Sequence, residues 1–196
     1  LPAPEQADAG KIVTVNSTGN DLEYSAGVRV LQIQKSLHSE TISSSFFSVT
    51  TVDHHYHYQQ LDVTITPNMT TSLMTINVNI GKIGPHHYTA MTFKITRNVG
   101  GNKTDVNLGQ AEGNRLRSTF AYRKPDDDNH SDGVSFTVYD TPSTTNQVIY
   151  ELHISLEYSG GQTQNAIYIN RSKSLLHQVN YNAVTSSNMM VIEYSQ

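Results

Sequence analysis

Cysteine and tryptophan are both absent from the 196 residues, and only 15% of the chain is charged. Without cysteine there can be no disulfide, no thiol nucleophile and no thiolate metal site. The net charge of −4 and pI near 6.1 give no reason to expect a nucleic-acid or anionic-membrane partner. No run approaches the ~18 consecutive apolar residues of a membrane span, so membrane insertion is not expected. No signal peptide is visible, and the first residue is Leu, so the chain reads as a piece of something longer.

Catalytic signatures are missing too. There is no Gly-x-Ser-x-Gly elbow and no His-Glu-x-x-His. Paired carboxylates for glycoside cleavage are set by spatial rather than sequential distance. Glu151 and Glu157, on one polar face, read as solvated surface. The long repeated rungs of a polysaccharide-degrading spike do not occur. The expectation is a protein that is not an enzyme and has no cofactor.

What replaces the missing charge is Ser, Thr, Asn, Gln and Gly, a composition suited to strands and tight turns. No window holds a helical face of useful length, whereas period-two alternation is widespread. In the best case Val148, Tyr150, Leu152, Ile154, Leu156 and Tyr158 occupy every second position. Similar runs are Leu61–Ile65, Met74–Ile80, Thr89–Ile95, Val134–Val138, Ile167 with Ile169, and Met190 with Ile192 and Tyr194. Val28–Gln34 and Phe46–Val52 are less regular, and the longest break lies between Arg97 and Gly133. Short strands with Gly, Pro and Asn turns predict an all-β, antiparallel jelly-roll-like β-sandwich of about eight to ten strands. It spans residues 28–196, behind an extended linker over 1–27 that carries one short strand.

The ordered segments VLQIQKSLHSETISSSFFSV, LDVTITPNMTTSLMTINVNI, GQAEGNRLRSTFAY, TVYDTPSTTNQVIYELHI, AIYINRS and SSNMMVIEYSQ resemble a C-terminal β-domain of tailed-bacteriophage virion appendage proteins, of the marine-phage type. The most specific elements are Ile65-Thr66-Pro67, Gly113-x-Arg115-x-Arg117, Asp140-x-Pro142 and the stretch Tyr168–Ser172. The leader AGKIVTVNSTGNDLEY looks like a segment joining fibre shafts to terminal domains. The resemblance implies a structural component of the virion, on a tail fibre or the capsid surface. It also implies a homotrimer, joined to other virion proteins through its N-terminal segment and touching host glycan by binding alone. A capsid decoration fibre or a tail adaptor with a purely structural role is the alternative.

Two histidine clusters depart from that pattern, His54-His55-Tyr56-His57 and Pro85-His86-His87-Tyr88. His55, Tyr56, His57, Tyr58, His86, His87 and Tyr88 are the candidate receptor contacts, since aromatic platforms beside polar side chains suit sugars. In a strand His55 and His57 would share a face about 7 Å apart. Neutral imidazoles ligate metals, but an axial site needs every copy to converge, and no metal is assigned. The basic group Arg115, Arg117, Arg123 and Lys124 reads as a pairing surface for the acidic tract or a neighbouring subunit. Asp126, Asp127, Asp128 and Asp132 lack the spacing of a calcium loop and read as a solvated turn. The sequons at Asn16, Asn68, Asn102 and Asn170 read as accidents of composition.

Overall fold

The computed structural model describes residues 11–15, 22–44, 55–85, 90–113, 116–123, 132–156, 167–171 and 184–195. Two strands near the N-terminus, β1 (Lys11–Val15) and β2 (Leu22–Ala26), pair with each other as an antiparallel two-stranded sheet. The expected single strand of the linker is therefore half of a hairpin. Leu22 and Tyr24 supply an alternation after the Gly19-Asn20 turn signal.

The remaining strands form two antiparallel sheets. In sheet one, β3 (Val30–His38) pairs with β14 (Ser187–Tyr194), β14 with the long β7 (Leu73–Pro85), and β7 with β11 (Asp132–Asp140). The short β13 (Ile167–Ile169) and β4 (Ile42–Ser44) extend the β14 and β3 positions alongside the far end of β7. In sheet two, β5 (Tyr56–His57) and β6 (Val63–Ile65) share one edge of β12 (Val148–Leu156). On its other side β12 pairs with β8 (Ala90–Val99), whose far edge carries β9 (Asn102–Val106) and β10 (Phe120–Arg123).

Counting strands that share a position as one gives eight positions along the chain from β3 to β14. Sheet one then reads first, eighth, third, sixth, and sheet two second, seventh, fourth, fifth. That order is a jelly roll, in which the chain crosses between sheets at every step except from the fourth position to the fifth. The expected fold class is the observed one.

Alternation sets the register. Met74, Ile76, Val78, Ile80 and Ile83 of β7 point inward against Met91, Phe93 and Ile95 of β8 and Val148, Tyr150, Leu152 and Ile154 of β12, all buried. Phe93, Phe120 and Phe136 close one end of the core, with Phe120 and Phe136 stacked at 5.1 Å. The break expected between Arg97 and Gly133 in fact contains β9 and β10. The polar sequence of β9, which buries only Val106, and the four-residue length of β10 hide them. The expected strand Phe46–Val52 lies outside the described residues.

β14 corrects a second reading. Met190, Ile192 and Tyr194 face outward and are only half-buried, while Met189, Val191 and Glu193 are the inward set. The stretch Met-Met-Val-Ile is apolar on both faces, so its pattern cannot choose between them.

Candidate functional site: the two outer faces of the sandwich

Across the outer face of sheet two, register lines up Glu151 with Thr96, and His153 with Lys94 on one side and His57 on the other. Alternation places Glu151 away from the core, but it is 3% exposed, so the reading of Glu151 as solvated surface is incorrect. It sits on a central strand, and side chains from β5, β8 and β9 fold over it. Lys103 Nζ donates to Glu151 Oε2 at 2.7 Å and Asn98 Nδ2 to Oε1 at 2.8 Å. His153 Nε2 lies 3.1 Å from Oε2. Glu157 is outside the described residues.

The His57 and His153 rings stack at 4.9 Å with 20° between planes, and His57 Nε2 meets Asp62 Oδ1 at 2.7 Å. Among the described residues, His57, Glu151 and His153 form a group whose ligand atoms all lie within 4.8 Å of one another. Burial pushes the Glu151 carboxyl up, but the hydrogen bonds from Lys103, Asn98 and His153 outweigh it and hold the group at about 2. Burial pushes His153 down, against the pull of Glu151, so its imidazole is neutral at neutral pH. Burial raises Asp62, with the His57 hydrogen bond opposing. One step further along this face, the Thr92 and Ser155 hydroxyls lie in register, buried and without a hydrogen-bond partner.

Of the candidate receptor contacts, Tyr58 is contradicted. It is fully buried, its hydroxyl 2.7 Å from His38 Nδ1, and desolvation raises its pKa. The 3-10 turn at Gln59–Leu61 follows it directly and turns the ring into the core. His55, Tyr56 and His57 are half-buried, and Tyr56 packs against the core. His86, His87 and Tyr88 lie outside the described residues. So do Arg115, Lys124 and Asp126–Asp128, while Arg117 Nε donates to the Gly109 carbonyl at 2.8 Å. Asp132 opens β11 and accepts a hydrogen bond from Tyr122 rather than lying in a solvated turn.

Three of the four motifs behind the family resemblance are ties in the fold. Asp140 accepts from Arg97 at 2.8 Å and from the buried Tyr150 hydroxyl at 2.8 Å, joining sheet one to sheet two. Asn170 is fully buried at φ 61°, and its side chain reaches the carbonyls of His38 and Glu40 and the Ser187 hydroxyl. The Thr66 carbonyl accepts from Gln32 Nε2 at 2.6 Å.

The outer face of sheet one has a different character. β3 is an edge strand facing the core with its polar residues. Gln32 donates to Glu193 at 2.6 Å, Ser36 to the Leu61 carbonyl at 2.9 Å, and His38 meets Tyr58. Three of its apolar residues point to solvent, with Val30 53%, Ile33 54% and Leu37 67% exposed, while Leu31 is half-buried. Ile192 pairs with Ile33 across the ladder, so the stripe continues onto β14. Beyond it, Thr137 donates to Asn77 at 2.8 Å and Ser135 to Asn79 at 2.7 Å, a polar half on β7 and β11. Sequence reasoning missed this inversion because Val28–Gln34 alternates poorly; the inward partners of Gln32, Ser36 and His38 are visible only in three dimensions.

No protein-family model matches the chain, and a search of curated proteins finds no relative. Among solved structures, the chain is similar to one titled as infectious bursal disease virus Gt strain, at 12% identity and TM-score 0.38, covering 95% of this chain and 42% of that one. A second is the VP2 subviral particle of infectious bursal disease virus, at 13% identity and TM-score 0.35, covering 94% and 46%. A third is the Gx strain of that virus, at 16% identity and TM-score 0.32, covering 94% and 43%. This chain spans less than half the length of each.

Proposed function

We propose that the chain is a structural component of a virion, the terminal domain of a trimeric fibre or appendage, which acts on the host surface by binding, with glycan as the target. It carries out no reaction in this reading, and its N-terminal segment joins it to the rest of the particle. The motif resemblance to phage appendage domains motivates the proposal, and the jelly-roll strand order is compatible with it. Fold alone does not assign a role.

The observation that carries assembly is the inverted edge strand. A one-residue slip of β3 would turn its apolar residues inward, yet Gln32, Ser36 and His38 are each held by a specific inward partner. The outward stripe of Val30, Ile33 and Leu37 is therefore fixed by design of the register rather than by default, and contact with a second copy would cover it and the sheet edge together. Repeated copies would present the same loops to a cell surface and multiply weak contacts through avidity.

Native mass by light scattering tests this. The expected value is three times the 21.7 kDa of one chain, falling to one chain in Ile33→Lys. A wild-type monomer would sink the fibre-head reading, and a monomer that binds purified capsids or tails would favour the decoration or adaptor role. Blocking of adsorption by the isolated chain tests host binding separately.

A further inference from the structure

We propose that His57, Glu151 and His153 form a binding site for a divalent first-row transition-metal ion, of which zinc is the fitting probe. Two imidazoles and one carboxylate are a donor set such ions take readily. The three ligand atoms already lie within 4.8 Å of one another, and the His153–Glu151 pair at 3.1 Å. Tetrahedral zinc at 2.0–2.2 Å from each donor sets ligand atoms about 3.4 Å apart, so side-chain movement of about an ångström closes the site. Backbone pairing holds the frame, since His153 and His57 are register partners on β12 and β5, and Glu151 is two residues along the same face.

Charge points the same way. Lys94 pairs with Asp105 at 3.2 Å and Lys103 with Glu151 at 2.7 Å, while Asp62 contacts the His57 imidazole and, among the described residues, forms no ion pair with a lysine. Three carboxylates (Asp62, Asp105 and Glu151) against two ammonium groups (Lys94 and Lys103) give this face an excess of negative charge beside the two imidazoles. Asp62 Oδ1, 2.7 Å from His57 Nε2, orients that ring. Lys103 Nζ holds Glu151 Oε2, the same oxygen that faces His153, and would compete with an ion for it. Its side chain is 48% exposed, so its ammonium can leave for water. The buried, unpartnered hydroxyls of Thr92 and Ser155 continue this polar face beside His153. Bound metal would fasten the two-residue strand β5, and with it the His55–Tyr58 segment, to the centre of sheet two.

The full chain, stripped with a chelator, is titrated with zinc by calorimetry and followed by thermal unfolding. One ion per chain is expected, with Tm rising as zinc rises. His57→Gln and His153→Ala should each weaken binding by tenfold or more. Lys103→Met should tighten it several-fold, because it removes the competing cation and leaves both imidazoles in place. That variant reads the site even if a histidine variant fails to fold. Absence of saturable one-to-one binding overturns the proposal, as does undiminished binding in both histidine variants, which would place zinc on other histidines. Unchanged affinity in Lys103→Met removes Glu151 from the ligand set and overturns the three-residue site.

Discussion

Glu193 carries a charge at a position with no exposure and, among the described residues, no ion-pair partner, and its replacement by Gln tests how that charge is tolerated. Asn68 N donates to Oε1 at 2.7 Å along with the Ser72 hydroxyl, while Asn68 Nδ2 and Gln32 Nε2 donate to Oε2 at 2.8 and 2.6 Å. These donors come from β3 and from the turn between β6 and β7, so the carboxylate fastens the edge strand to the sandwich. Glu193→Gln keeps the shape but sets an NH2 group against donors. Hydrogen bonds to a charged group contribute about 1.5–3 kcal/mol each, so loss of two costs roughly 3–6 kcal/mol before relaxation. Rotation of the Asn68 or Gln32 amide and relief from burying a charge return part of that, leaving about 2–4 kcal/mol. For a chain of this size that lowers Tm by roughly 5–15 °C.

The pH dependence gives a second handle. Burial pushes the Glu193 carboxyl up, but the hydrogen bonds from Ser72, Gln32 and Asn68 outweigh it and hold the group below its ordinary value. A depressed folded-state pKa means stability that is present above the unfolded value of about 4.3 and lost as pH falls through the folded one. Urea unfolding of wild type and Glu193→Gln should therefore differ most at neutral pH and converge in acid. A variant within about 0.5 kcal/mol of wild type at pH 7, or a gap that widens on acidification, would refute the reasoning.

Substitutions at two further positions test the close contacts of the fold by urea or thermal unfolding. A Cβ on Gly81 would sit 2.4 Å from the Ser186 carbonyl oxygen and 2.6 Å from Thr185 Oγ1, so Gly81→Ala should destabilise by about 1–3 kcal/mol, and a neutral result would mean that the β7 and β14 termini are not packed this tightly. Asn170→Ala removes three side-chain hydrogen bonds at a left-handed residue and should cost about 3–5 kcal/mol. Asn170→Gly, which relieves the backbone but not the lost bonds, should recover only part of it.

Which parts of this were legible in the sequence follows from what alternation encodes. It reports two faces, and at β12 it correctly sends Val148, Tyr150, Leu152 and Ile154 to the core. It does not report whether the far face meets water, so Glu151 read as solvated although neighbouring strands cover it. Where both faces are apolar, as in Met189–Ile192, it cannot choose a side at all. Tyr58 stands among polar neighbours and so read as part of a rim, yet the turn at Gln59–Leu61 carries it inward. The His57–Glu151–His153 group was invisible for a simpler reason. His57 and His153 are 96 positions apart (153 minus 57), and only the pairing of β5 with β12 joins them.

The two outer faces also differ in how they treat an edge. β5 and β6 are short strands of two and three residues beside β12, and short edges offer little to a foreign strand. β3 is nine residues long, carries one Lys and no acidic residue, and presents apolar side chains outward. A strand of that kind left bare invites uncontrolled pairing, and the chain blunts it with neither Pro nor a run of charge. Its inward side is instead fastened at Gln32, Ser36 and His38, which fixes both its register and the position of the outward stripe. An edge held this firmly suits the proposed contact with a second copy, because a preorganised surface loses less conformational freedom on binding.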